Sequence, residues 1–272
     1  MEPRLSTYGS HGVTLLGDAS RPYGVAPCFT ERTGGVSSGV YASLNLGSNC
    51  GDDSALVARN RALALVAAGF SGDASTIVCP EQVHGSDVLC IEDGSPEGIA
   101  AAQDEAGKGY DAILCTVPNV PVLLCYADCV PVVLVAPGGF CVVHSGWKGT
   151  IARISAKAAR MLMERCSCAP KDVLVYIGPH IQAPDYEVSE ELLDRFVSEF
   201  GEGARYSYRH LDLRFCIEEA LGELGIRASA IAACEESTPR SQDRFFSYRG
   251  AGGECGRHGA IAWLELSEGA DA

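Results

Sequence analysis

Three side chains in the sequence have the types and positions expected of a metal site. Cys129 begins a predicted hairpin that His144 ends, so the two strands return both side chains to the same edge of a sheet. His84 stands between two other strand-like runs. A thiolate and two imidazoles suit Zn²⁺, and three protein ligands leave a fourth coordination position for water.

The same atoms have two other interpretations. Cys129 and His144 could form a catalytic dyad, in which the imidazole lowers the pKa of the thiol. In a purely structural interpretation, Cys129 packs in the core and His144 caps a strand through a backbone hydrogen bond. Because His84 is distant in the sequence, spacing does not choose among the three, and a bound metal would be the discriminating observation.

Two glycine-rich segments could contact an anion. The turn at 145–150 places glycines and Lys148 directly before a predicted helix, where backbone N–H groups can approach a negative charge. It lacks the spacing of a phosphate-binding loop, so an ordinary strand–turn–helix connection is favoured. The segment 30–37 carries Arg32 beside two glycines, and alone it indicates only a turn that contains an arginine.

The elements that must position these residues are short strands alternating with helices. Strand-like runs rich in Val, Ile and Leu are predicted at 75–79, 87–91, 111–117, 121–126, 131–136, 140–144, 171–178, 228–232 and 260–264. Helical spacing is predicted at 54–68, 151–165, 189–200 and 214–224. Pro137, Gly138 and Gly139 indicate a hairpin between two of the runs. Hairpins mixed with helices predict a mixed-sheet α/β layered domain.

Length and composition exclude several classes of protein. With 272 residues, 47% of them hydrophobic, the chain can bury a full core and is not disordered. Its formal charge of −14 disfavours nucleic acid and anionic membranes as partners. The first residues contain no apolar run typical of a signal peptide, so a cytoplasmic protein is expected. We expect one domain at 25–266, preceded by an N-terminal extension with a mobile start at 1–24 and followed by a tail at 267–272.

Thirteen cysteines and six histidines complete the set of reactive side chains. No C-x-x-C pair occurs, so neither a zinc ribbon nor a thioredoxin motif is indicated. Apart from Cys129, the cysteines are expected to be reduced packing residues. His11, His210 and His258 are expected at the surface, and His180 could line a cleft.

The segments around these residues resemble one family, the laccase-domain proteins. That family was described first as multicopper polyphenol oxidases and later as purine nucleoside phosphorylases with adenosine deaminase activity. The resemblance spans about residues 25–264 in the family order. The matching segments are FTERTGGVS at 29–37, SLNLG at 43–47, GDD at 51–53, NR at 60–61, QVHG at 82–85, ADCVPV at 127–132, HSGWKG at 144–149, IGP at 177–179, YEV at 186–188, FFSYR at 245–249 and GR at 256–257.

The resemblance implies a four-layer α/β/β/α sandwich in which His84, Cys129 and His144 are the catalytic zinc ligands. It further implies phosphorolysis of adenosine, inosine and guanosine, extending to S-methyl-5′-thioadenosine, with inorganic phosphate as co-substrate. Hydrolytic deamination of adenosine is also implied, with zinc activating a water that attacks the purine C6 carbon.

Phosphorolysis needs cations that hold the phosphate. Arg32, Arg61 and Lys148 are the residues we expect in that role, and Asn45 is expected to bind ribose or base. The alternatives are a copper-dependent polyphenol oxidase and a cysteine–histidine hydrolase on the same residues. His₂Cys is also a blue-copper ligand set, but six histidines with no H-x-H pair argue against four-electron reduction of dioxygen. The oligomeric state is left open.

Overall fold

Two β-sheets packed face to face form the centre of the protein, and helices cover both outer faces. The computed structural model describes residues 1–266, so the expected tail at 267–272 lies outside the described residues. The strands are β1 (Ser6–Ser10), β2 (Val13–Gly17), β3 (Cys28–Thr30), β4 (Val88–Ile91), β5 (Ala112–Cys115), β6 (Val122–Tyr126), β7 (Val130–Ala136), β8 (Gly139–Ser145), β9 (Leu174–Ile177), β10 (Arg205–Ser207), β11 (His210–Leu211), β12 (Ile231–Ala233) and β13 (His258–Ala262). The helices are α1 (Ser54–Ala68), α2 (Pro96–Ala106), α3 (Trp147–Ile151), α4 (Ile154–Arg165), α5 (Glu190–Phe200) and α6 (Leu213–Gly222).

The two sheets differ in strand direction. The first is antiparallel, with the strand order β1-β2-β3-β13-β6. The second is mixed, with the order β12-β9-β7-β8-β5-β4, and its parallel pairs are β12 with β9 and β4 with β5. Helix α1 packs on the outside of the first sheet, while α4 lies on β7 and β8 of the second. The molecule is therefore a four-layer α/β/β/α sandwich, as the family resemblance implied.

The hairpin of β7 and β8 lies at the centre of this arrangement. Every residue of both strands is buried, because one face packs on the first sheet and the other on helices. The turn is Pro137–Gly138, and Gly138 adopts the left-handed backbone conformation that glycine tolerates best. The register pairs Pro131 with His144. Strand β8 therefore returns His144 to the edge of the sheet at which Cys129 directly precedes β7.

The N-terminal residues are part of the sandwich, contrary to the predicted extension at 1–24. Strands β1 and β2 form a hairpin, and β2 pairs with β3 through Leu15–Thr30 and Leu16–Phe29. Val13 and Leu15 are buried against α1 and the first sheet. The alternation of buried and partly exposed residues along β2 is the signal of a half-buried strand that the sequence interpretation missed.

Several predicted elements differ from the structure in detail; the strand expected at 228–232, for example, is a 3₁₀ turn at Ala228–Ala230 followed by β12. The strand expected at 75–79 is a short 3₁₀ turn, Ala74–Thr76, because the Asp73 carboxylate accepts a hydrogen bond from the Ser75 amide and caps the turn. The helix expected at 151–165 is divided into α3 and α4 at Arg153, whose φ is 58°. Among residues 1–266, no helix combines the length and the apolar character needed to cross a membrane.

Candidate metal centre

His84, Cys129 and His144 meet at one edge of the second sheet. Their ligand atoms all lie within 4.8 Å of one another, and the two imidazole rings have centroids 4.9 Å apart. Cys129 directly precedes β7, and His144 is the penultimate residue of β8. His84 comes from the loop before β4. The cluster therefore joins the predicted hairpin to a loop that is distant in the sequence, and residue spacing could not place that loop.

Asp111 holds both histidines. The residue directly precedes β5, is fully buried, and accepts a 2.7 Å hydrogen bond from Nδ1 of His144. Its carboxylate also accepts hydrogen bonds from the backbone amides of Val83, His84 and Gly85. Nδ1 of His144 is thereby occupied, which leaves Nε2 for the cluster. A carboxylate behind a ligating imidazole is the usual support of a metal-bound histidine.

Gly146 leaves room for the cluster. A Cβ atom at this position would lie 2.9 Å from Sγ of Cys129 and 3.2 Å from Cδ2 of His84. The backbone of residue 146 therefore packs directly against two of the three donors. Of the two glycines in the 145–150 turn, Gly146 permits this close approach. Helix α3, which begins directly after it, has five residues.

Cys129 and His144 shift each other's pKa values. Burial raises the pKa of the Cys129 thiol, but the His144 and His84 imidazoles lower it to about 6. Burial lowers the pKa of His144, while the Cys129 thiolate and the Asp111 carboxylate raise it to about 9. Near neutral pH the pair is therefore a thiolate and an imidazolium. A cation entering the cluster would replace the imidazolium proton, which is the behaviour of a metal site.

The donors open into a cavity of about 440 Å³. That volume falls within the range of small-molecule sites, about 300–1,000 Å³. The cavity wall combines thiols, polar groups and two guanidinium groups. The lining residues are Gly47, Ser48, Asn49, Cys50, Arg61, Cys79, Pro80, Glu81, Gln82, His84, Cys125, Ala127, Cys129, His144, Tyr248 and Arg257.

Arg32 is not among the residues that line this cavity. Its Nε and Nη2 donate to the carbonyl oxygen of Ala42 at 3.0 and 2.8 Å, and Nη1 donates to that of Gln242 at 2.8 Å. The guanidinium also lies over the Phe246 ring, 4.4 Å from its centroid. These contacts make Arg32 a tie between two loops, and its expected phosphate-binding role stays a prediction.

Asn45 is likewise committed to the fold. Its side chain is fully buried, and Nδ2 donates to the carbonyl oxygen of Gly47 and to the Asp52 carboxylate. Oδ1 accepts hydrogen bonds from the amides of Gly47 and Arg257. Both ends of its side-chain amide are hydrogen-bonded, so Asn45 supports the cavity wall from behind, and the expected contact with ribose or base stays a prediction.

Of the other predicted cations, Arg61 lines the cavity and Lys148 does not. Nε of Arg61 donates to the Leu46 carbonyl oxygen at 3.0 Å, which fixes the guanidinium on the wall. Lys148 is exposed on α3, and its Nζ lies 5.6 Å from the Trp147 ring centroid. Arg257, which the sequence interpretation did not single out as a phosphate ligand, lines the cavity with Arg61.

Two further histidines are buried away from the cluster. His258, expected at the surface, is fully buried on β13, and His180 is 1% exposed. Burial lowers the pKa of each to about 4, so both are neutral near pH 7. Nδ1 of His180 is 2.7 Å from the Gly178 carbonyl oxygen, and Nε2 of His258 is 3.4 Å from that of Pro179.

The residue that sequence reasoning missed at the centre itself is Asp111. A signal was present, because an acidic residue directly before a wholly apolar strand must find buried partners. The register of β5 against β8 pairs Ala112 with Val143 and so places Asp111 beside His144. That pairing joins strands separated by two others in the chain, which periodicity alone does not reveal.

Comparison with known proteins gives consistent matches over nearly the whole chain. The family model described as multi-copper polyphenol oxidoreductase laccase matches residues 26–265. Purine nucleoside phosphorylase YlmD of Geobacillus stearothermophilus is 32% identical over 243 residues, covering 86% of this chain and 88% of the relative. Purine nucleoside phosphorylase YfiH of Escherichia coli K12 is 31% identical, covering 90% and 96%. The crystal structure of YlmD from Geobacillus stearothermophilus has a TM-score of 0.83 at 31% identity, covering 94% and 97%.

Proposed function

This chain belongs to the family described as multi-copper polyphenol oxidoreductase laccase, and we propose that it is a zinc-dependent purine nucleoside phosphorylase. The observation that carries the proposal is one cavity with a His₂Cys cluster and two guanidinium groups on its wall. The names of the relatives support the reaction class.

The donor set fits zinc. Two imidazoles and a thiolate are favoured zinc ligands, and three of them leave a position that faces the cavity. Zinc bound there would act as a Lewis acid and lower the pKa of a water to about 7. Asp111 keeps the proton on Nδ1 of His144, so that Nε2 remains available as a donor.

Arg61 and Arg257 are the cations we propose for inorganic phosphate. Phosphorolysis forms a bond between a phosphate oxygen and C1′ of the ribose, while the bond from C1′ to the purine nitrogen breaks. The phosphate must therefore be held beside the ribose, and paired guanidinium groups bind such an anion well. Nη1 of Arg257 donates to the carbonyl oxygens of Cys255 and Gly256, which leaves its Nε and Nη2 for a ligand.

Deamination of adenosine is a second reaction that we propose for the same cavity. It replaces the amino group on C6 with oxygen from water and releases ammonia, so it needs an activated water but no phosphate. The two reactions are therefore separable by leaving phosphate out. The proposed substrates are a class of purine nucleosides, with no preference assigned among them: adenosine, inosine, guanosine and S-methyl-5′-thioadenosine.

The thiolate–imidazolium pair also supports a cysteine–histidine dyad, and a chelator distinguishes it from a zinc centre. A coordinated Cys129 thiolate should be alkylated slowly by iodoacetamide, and chelation should accelerate its alkylation and lower activity. A free nucleophile should be alkylated rapidly with or without chelator. Copper remains the alternative metal, because His₂Cys is also a copper ligand set.

The test of the proposal is product analysis with zinc-quantified protein. Adenosine with phosphate should yield adenine and ribose 1-phosphate, and adenosine without phosphate should yield only inosine. Cys129→Ser should abolish both reactions, whereas Cys90→Ser, a thiol change on β4 away from the cavity, should retain them. Arg61→Ala should raise the KM for phosphate and spare deamination. Absence of adenine at full zinc occupancy would refute the phosphorylase assignment.

A further inference from the structure

Cys79 and Cys125 are two of the three thiols, besides Cys129, that line the cavity. Val78 forms a parallel bridge with Val122, so Cys79 stands opposite residue 123. Side chains alternate along extended strands, and Cys125, two residues further on, therefore projects to the same side as Cys79. The two thiols lie close enough to interact electrostatically, and both border the cavity.

The surroundings shift the pKa values of the two thiols in opposite directions. Interaction with the Cys125 side chain lowers the pKa of Cys79 to about 7; burial opposes this shift, and the Arg61 guanidinium adds to it. The neighbouring Cys79 side chain and burial raise the pKa of Cys125. Sγ of Cys125 also lies 3.4 Å from the Leu46 carbonyl oxygen, which accepts the Nε hydrogen bond of Arg61. Cys79 therefore ionises more readily than Cys125, and the Arg61 guanidinium favours its thiolate form.

A second group of neighbouring thiols provides the contrast. Cys141 on β8 lies close enough to Cys90 and Cys115 to interact with them electrostatically. Burial raises the pKa of Cys90 and of Cys141. Cys141 is completely buried, and neither Cys90 nor Cys141 borders the cavity. Both groups therefore contain neighbouring thiols, whereas Cys79 and Cys125, unlike Cys90 and Cys141, border the cavity beside Arg61.

We propose that Cys79 and Cys125 form a reversible dithiol–disulfide site that reacts with a hydroperoxide entering the cavity. The Cys79 thiolate attacks the peroxide oxygen, breaks the O–O bond and becomes a sulfenic acid, while the peroxide is reduced and, with one proton, leaves as water or alcohol. The Cys125 thiol then attacks the Cys79 sulfur, and the sulfenic oxygen leaves as water. The thiols lose two electrons in total, and the peroxide gains them.

The reaction does not require the proposed phosphorylase activity, although the two thiols share the cavity and Arg61 with it. It is tested on the zinc-loaded full chain. The protein is treated with increasing hydrogen peroxide, remaining thiols are blocked with N-ethylmaleimide, and peptides are analysed by mass spectrometry. We expect a Cys79–Cys125 disulfide before any link between Cys90 and Cys141, with both thiols restored by dithiothreitol. Zinc per chain is measured in the same samples.

Two serine variants sharpen the test. Cys79→Ser should slow the oxidation of Cys125 at least about tenfold, because the reactive thiolate is gone. Cys90→Ser should leave the Cys79–Cys125 link unchanged. The proposal is overturned if Cys79 and Cys125 stay fully alkylatable while other cysteines oxidise, or if Cys129 oxidises first with release of zinc. Circular dichroism of Cys79→Ser confirms that the comparison is made on folded protein.

Discussion

At the scale of single residues, one buried carboxylate organises the metal centre. Asp111 binds the side chain of His144 and the backbone of the loop that carries His84, so it fixes the separation between the two imidazoles. Without this carboxylate, the three backbone amides of residues 83–85 would lose the group that accepts their hydrogen bonds. Hydrogen bonds to one carboxylate therefore hold the two imidazole donors together.

Asp111→Asn should lower zinc affinity by about 10–100-fold, the usual effect of losing the partner of a ligating imidazole. Competition with a chromophoric chelator measures the affinity directly. Asp18→Asn is the matched control, because Asp18 is also a buried carboxylate with several hydrogen bonds but lies away from the centre. Equal zinc affinity in Asp111→Asn and the wild type, or an equal loss in both variants, would contradict the role.

Gly146→Ala should weaken zinc binding without unfolding the protein. The added methyl group would lie 2.9 Å from Sγ of Cys129, so the thiol or the turn must shift. Gly222→Ala on α6 is the control, because a Cβ there meets no atom within 4 Å. Zinc stoichiometry and thermal unfolding are measured on both. A Gly146→Ala protein with unchanged zinc affinity would show that the close approach does not matter.

At the scale of elements, local patterns predicted what they directly encode. The helix at 54–68 is found with those bounds as α1, because Asp53 caps its start and Gly69 ends it in the left-handed conformation. The β7–β8 hairpin follows from its apolar runs and Pro–Gly turn. The 3₁₀ turn at Ala74–Thr76 and the break at Arg153 were missed, because a cap and one left-handed residue outweigh hydrophobic pattern there.

Helix α5 provides a prediction at this scale. Oγ of Ser189 accepts a hydrogen bond from the Leu192 amide at 3.2 Å and caps the start of the helix. Ser189→Ala should lower the free energy of unfolding by about 1 kcal/mol, and Ser189→Asp should restore it. Urea denaturation measures both changes. Zinc content should be the same in the two variants, and a loss of zinc in Ser189→Ala would contradict the separation of α5 from the centre.

At the scale of the whole molecule, a hydrogen bond between the sheets joins the N-terminal hairpin to the second sheet. The hydroxyl of Tyr176 on β9 donates to Asp18, directly after β2, at 2.7 Å. The layer order could be expected from the family resemblance, but this link and the pairing of β2 with β3 could not. Both depend on contacts between residues far apart in the chain, which local periodicity does not encode. The same holds for the approach of His84 to the β7–β8 hairpin.

The link predicts a pH dependence of stability. Burial raises the pKa of Asp18, but hydrogen bonds from Ser20, Tyr176 and Arg4 lower it below its ordinary value. A carboxyl group with a depressed pKa in the folded state stabilises the protein above its unfolded pKa, and this contribution is lost as pH falls through the folded value. Asp18→Asn should therefore be less stable than the wild type by about 1 kcal/mol at neutral pH.

That difference should shrink as the pH falls below about 4, the ordinary pKa of an aspartate. Urea denaturation of chelator-treated protein at several pH values measures it without a contribution from metal loss. Tyr176→Phe is the companion variant, because it removes the same hydrogen bond and leaves the carboxylate in place. A stability difference for Asp18→Asn that is constant across the acidic range would contradict the depressed pKa.

The central claim is that His84, Cys129 and His144 form a zinc centre in this cavity. Elemental analysis of protein purified without added metal tests it most directly, because metal and chain are counted in the same sample. We expect about one zinc per chain. The zinc should be lost in Cys129→Ser and retained in Cys90→Ser. Stoichiometric copper with negligible zinc, or zinc retained in full by Cys129→Ser, would contradict it.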